Sequence, residues 1–146
     1  MSEAQRTADR VRGSFDRQLV MRTIGATIEH VAEGEVHIAL PVRVDLTQQH
    51  GYVHAGIIAT IGDSACGYAA LTVMPEDAAV LSIEFKINML APAEGTRLIA
   101  RGRVIRPGRT IVVCRADVHA EGAEGEKLVA TMTGTMMVVR GRGLVD

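Results

Sequence analysis

The spacing of apolar positions changes period twice along the chain. Residues 3–22 place Val11, Phe15, Leu19 and Val20 on one stripe among Arg and Asp, which predicts a peripheral amphipathic helix. From Gly25 the period is two. Ala26, Ile28 and His30 alternate with Thr27, Glu29 and Val31, and after a turn at 32–34 Val36, Ile38 and Leu40 form a second set, together a hairpin. Residues 45–53 are polar and irregular. His54 to Val73 then reads as one long helix, small-residue-rich nearly all round and stopped by Pro75. A helix with so little polar face is a buried one. Four strands follow, at 80–90, 96–106, 110–120 and 127–139, with a Pro107–Gly108 turn between the second and third. In 80–90 the alternation assigns Leu81, Ile83, Phe85, Ile87 and Met89 to one face, and Ser82, Glu84, Lys86 and Asn88 to the other. The tail after Arg140 is expected to fray.

This order predicts an α+β domain, in which a curved antiparallel sheet wraps one long central helix and an N-terminal amphipathic helix lies outside. The 146 residues suit one domain with a core at about 24–139. Asp63 interrupts the longest apolar run, so that run reads as a buried helix and not a membrane span. The first 17 residues are polar and carry no secretion signal. Cys66 and Cys114 lack metal-ligand spacing and read as buried free thiols in a reducing cytoplasm. A formal net charge of -1 gives no general attraction for nucleic acid or an anionic membrane. Neither the histidines nor the cysteines suggest a metal. The absence of a Gly-x-Ser-x-Gly elbow argues against an α/β-hydrolase.

The chemistry concentrates in Gln48-Gln49-His50-Gly51-Tyr52-Val53-His54-Ala55-Gly56 and in Asp63. A helix start exposes unpaired N–H groups with partial positive charge, and those of Ala55 and Gly56 suit a developing oxyanion. An Asp inside an apolar helix is costly unless used, and burial raises its pKa toward that of a general base. Taken alone, Asp63 is as readily an acid capping a neighbour, His54 an N-cap, and Ser82 a solvated strand residue. His54 and Asp63 are nine positions apart, about 13 Å along the axis and on opposite faces. One helix cannot offer both to one substrate, whereas two copies related by a two-fold axis can. The expected active unit is therefore a dimer or a dimer of dimers.

The run Gln48-x2-Gly51-x2-His54-Ala55-Gly56-x6-Asp63-x2-Cys66-Gly67-Tyr68-Ala69-Ala70 resembles the signature of the phenylacetate-degradation (PaaI-type) hotdog thioesterases. The similarity extends through Ser82 to Ala93 and the Pro107-Gly108-Arg109-Thr110 turn. It implies a hotdog fold and hydrolysis of acyl-coenzyme A, with coenzyme A as part of the substrate and no other cofactor. By position it implies Asp63 as catalytic base or nucleophile, Ala55 as the carbonyl-polarising N–H, and Gln48 as the side chain placing water or leaving group. His54 matches the motif histidine, and Ser82 a hydroxyl that helps hold the attacking water. Gly56, Met89, Arg106, Gly108, Arg109 and Thr110 fall in the substrate-binding regions, the arginines near the coenzyme phosphates. Ala55 stands where the family has glycine, and Gln48 where many members have Asn. Two rival functions fit less well: hydration or dehydration of an acyl thioester, and non-catalytic acyl-CoA binding.

Overall fold

A computed structural model describes residues 1–146. Six antiparallel strands form one sheet: β1 (Thr27–Ala32), β2 (Glu35–Pro41), β3 (Ala79–Met89), β4 (Arg97–Pro107), β5 (Ile111–Gly122) and β6 (Gly125–Val139). Their order is β1-β2-β4-β5-β6-β3, which leaves β1 and β3 as edges. The central helix α3 (Ala55–Leu71) lies across the inner face and packs on β4, β2 and β5. This is the hotdog arrangement, with helices α1 (Glu3–Arg17) and α2 (Leu19–Ile24) at its flank.

The small residues of α3 allow backbone-level contact with the sheet. A Cβ built on Gly102 of β4 would overlap the Ala65 carbonyl group, so only glycine fits there. Cys66 sits in the same layer. Burial pushes its thiol well above the ordinary range, and pushes that of Cys114 on β5 up to about 12. The outer face of the sheet is polar and ion-paired: Arg97 with Glu29 and Glu121, Arg101 with Glu126, and Arg115 with Asp117.

Four features depart from the periodicity. The predicted helix over 3–22 is two helices, because Gln18 is extended (φ -81°, ψ 92°). The break resets the apolar stripe: Val11 and Phe15 are buried, Leu19 and Val20 are 65% and 47% exposed, and Met21 and Ile24 point inward instead. Strand β1 skips Glu29, so that Ile28 and Val31, not Ile28 and His30, pair with the buried Ile38 and Val36. Strand β3 skips Ile83: Ser82 pairs with Met136, and the next partner of Thr135 is Glu84. Directly paired residues share a face, and Met136, Gly134, Met132 and Ala130 all face the helix. Ser82 therefore shares the helix side with Phe85, Ile87 and Met89, while Leu81 turns outward with Glu84, Lys86 and Asn88. The segment after Arg140 docks instead of fraying. The Asp146 carboxylate accepts hydrogen bonds from Ser14 Oγ (2.7 Å) and from the Val80 N–H (2.7 Å).

Candidate active site

The loop before α3 is held by its own backbone. Gly51 takes a left-handed conformation (φ 87°), and the Gln48 and Tyr52 main chains pair across the turn. The Gln48 side-chain oxygen accepts from the N–H groups of His50 (2.5 Å) and Tyr52 (3.3 Å). That leaves the Gln48 amide nitrogen without a protein partner. His54 is the N-cap of α3, and its Nδ1 accepts the Gly56 N–H at 2.8 Å. The Gly56 N–H is thus occupied by the cap, which leaves Ala55 as the donor of the pair. The Ala55 N–H has no protein partner and is the free donor at this helix start. Gln48, His54, Ala55 and Met89 line one recess of about 510 Å³ with Tyr52 and Ile58.

Asp63 stands elsewhere. Eight residues along α3 from Ala55, it is about 12 Å further down the axis. It is half-buried rather than enclosed, because it looks out toward β3, an edge strand with one neighbour. Ser82 Oγ donates to Asp63 Oδ1 at 2.7 Å, a contact that exists because the bulge at Ile83 turns Ser82 to the helix side. Asp63 Oδ2 makes no hydrogen bond within the protein. The two groups open into a cavity of about 120 Å³, also lined by Gln18, Ser64, Gly67, Tyr68, Val80 and Asp146. Of these six, Gly67 and Tyr68 stand in the signature run, and the other four carry no functional signal in the sequence. Gln18 and Asp146 reach the cavity only through a helix break and a docked tail, neither of which the helical spacing over 3–22 or the tail sequence announces.

The Arg106–Thr110 turn is not brought to either group. Pro107 packs near Thr72, Val73 and Met74, at the opposite end of α3 from Ala55. Gly108 has a structural reason, since a Cβ there would overlap the Ile111 carbonyl oxygen. The Thr110 carbonyl accepts the Val138 N–H. Arg106 and Arg109 join none of the ion pairs of the protein.

A curved six-stranded sheet around a small-residue helix, with an acid at mid-helix and a free N–H at its start, defines a thioester hydrolase of the hotdog class. The profile of the thioesterase superfamily matches residues 50–126, and the chain belongs to that family. It is similar in structure to a thioesterase family protein from Silicibacter pomeroyi, at 50% identity and TM-score 0.91, covering 92% of this chain and 99% of that one. It also resembles a variant of the phenylacetic acid degradation protein PaaI from Thermus thermophilus, at 29% identity and TM-score 0.74, over 84% of this chain and 100% of that one. A relative in Halobacterium salinarum, which carries a provisional esterase name, is 32% identical over 94% of this chain and 96% of its own length. No helix is long and apolar enough to cross a membrane.

Proposed function

We propose that this chain hydrolyses acyl-coenzyme A to the free acid and coenzyme A, in the cytoplasm, at a site built from two subunits. The observation that carries the reading is the separation of the free Ala55 N–H from the Asp63–Ser82 pair on one helix. Each is half of an acyl-transfer site, and a two-fold axis supplies the other half twice.

Strand β3 supports this assembly. It is an eleven-residue edge with Leu81, Ile83, Phe85 and Met89 exposed, the kind of edge that a second copy covers. Pairing β3 with its own copy sets the two α3 helices antiparallel. The start of one then faces the middle of the other. In this reading Arg106 and Arg109, which join no ion pair, are the groups left to bind the coenzyme phosphates.

In this site the thioester carbonyl accepts from the Ala55 N–H, with the Gln48 amide beside it. His54 caps the helix and thereby keeps Ala55 as the free donor. Ser82 holds Asp63 by Oδ1, so Oδ2 takes the proton from water. The water oxygen bonds to the carbonyl carbon, the C–S bond breaks, and the thiolate leaves. It then recovers the proton from Asp63, so no strong general acid is needed.

The test is thiol release from a panel of acyl-CoAs. Asp63→Asn is expected to lower kcat by about 10²–10⁴ with an unchanged far-UV CD spectrum and assembly size. Undiminished turnover would reject Asp63 as the base. Full activity in a monomer would reject the shared site.

A further inference from the structure

The acyl thioesterase reading leaves open which acyl group the site takes, and the cavity beside Asp63 bears on it. On that reading the reacting carbonyl lies next to the water held by Asp63, and a recess that begins there is open to the acyl tail. The 120 Å³ cavity is lined by both Asp63 and Ser82, whereas the 510 Å³ recess at the start of α3 is lined by neither. The larger recess suits the long thiol-bearing arm.

The cavity is half-open, and Asp146, at the end of the 140–146 segment, forms one of its walls. Asp146 ties Ser14 of α1 to the Val80 backbone of β3, and Arg17 adds a bond to the Val145 carbonyl. Its walls are polar: Ser64 donates to Gln18 (3.2 Å), and the Tyr68 hydroxyl lies 3.3 Å from Ser14 Oγ. Tyr68 and Ser64 are buried and line the cavity.

Resting on that reading, we propose that Asp146 and the 140–146 segment form the floor of the acyl chamber and restrict it to short, uncharged acyl groups with a hydrogen-bonding tip. At ~30 Å³ per small group, the chamber holds roughly four non-hydrogen atoms beyond the carbonyl. Ser64, Tyr68 and the Gln18 amide can pair a hydroxyl at the tip. A carboxylate at the tip would lie beside both Asp63 and Asp146, which disfavours it by like charge.

The experiment measures kcat/KM of the full chain on straight acyl-CoAs from acetyl to decanoyl, on 3-hydroxybutanoyl-CoA, and on succinyl-CoA. The wild type is expected to peak near butanoyl, to favour the hydroxylated chain, and to reject succinyl. Asp146→Ala lowers the floor and raises the octanoyl-to-butanoyl ratio by about tenfold, the order expected when a pocket gains space for extra methylenes. Asp146→Asn keeps the shape and raises the succinyl-to-butanoyl ratio by about tenfold instead. A wild-type optimum at octanoyl or beyond, or both variants hydrolysing with the wild-type profile, overturns the chamber while leaving thioester hydrolysis intact. Should Asp146→Ala fail to fold, an unchanged succinyl ratio in Asp146→Asn overturns it alone. A wild type that hydrolyses no member of the panel overturns the acyl-CoA reading itself, and the chamber with it.

Discussion

The start and the middle of α3 solve the same problem, placing a polar group beside apolar surface, by opposite means. At the start, the polar group is main chain. The Ala55 N–H is free because helix geometry leaves it so, and His54 occupies the neighbouring Gly56 N–H. The loop from Gln48 to Val53 supplies the rest, and it is held by its own hydrogen bonds. In the middle, the polar group is a side chain on an otherwise apolar helix, and its support comes from another element. Ser82 reaches Asp63 only because β3 carries one extra residue. The first region is therefore insensitive to side-chain identity at position 55 and sensitive to the backbone. The second is the reverse.

That contrast can be broken most sharply at Ala55. Proline is accommodated at the first position of a helix, and His54 already has the extended backbone (φ -60°, ψ 137°) that a following proline demands. Ala55→Pro should keep the fold, remove the one free N–H, and lower kcat by about 10²–10³, whereas Ala55→Ser should cost little. Co-expressing Ala55→Pro with Asp63→Asn should restore about a quarter of wild-type activity, because random pairing yields mixed dimers with one intact site. Recovery no greater than the sum of the two inactive forms would place both halves in one subunit.

At mid-helix, Ser82→Ala removes one hydrogen bond to a carboxylate and should lower kcat roughly tenfold with little change in KM. His54→Ala removes the cap and should destabilise by about 1 kcal/mol, read from the denaturant midpoint, with a smaller loss of activity than Ala55→Pro. The smallest expected effect concerns the assay itself. Burial holds the Cys114 thiol at about 12 and Cys66 higher still, so both stay protonated below that range. A disulfide reagent at pH 8 should label neither cysteine until the protein is unfolded.

Much of this architecture is legible in the sequence, for reasons particular to it. Ala55, Ala59, Gly62, Ala65 and Ala69 mark a helix that other backbones can approach, and residues 110–120 alternate cleanly because both neighbours of β5 are strands. What was not legible arises where one residue changes the phase. The alternation of 80–90 places Ser82 with Glu84 and Lys86, yet the bulge at Ile83 turns it to Asp63. Gln18 carries no breaker residue, and the helix ends there because Met21 and Ile24 gain burial by restarting in a new register. The docked tail is invisible for another reason: Gly141 and Gly143 look like loose chain, and the partners of Asp146, Ser14 and Val80, lie far away in sequence.

The contact at Gly102 gives the molecule a fixed height. The helix rests on β4 with nothing between them but main-chain atoms, two residues along from the acid. A single added methyl there would raise that stretch like a shim under a beam and tilt the carboxylate away from its hydroxyl. Under the proposed mechanism, a residue that touches no reactant sets where the carboxylate stands, through the thickness of the layer beneath the helix.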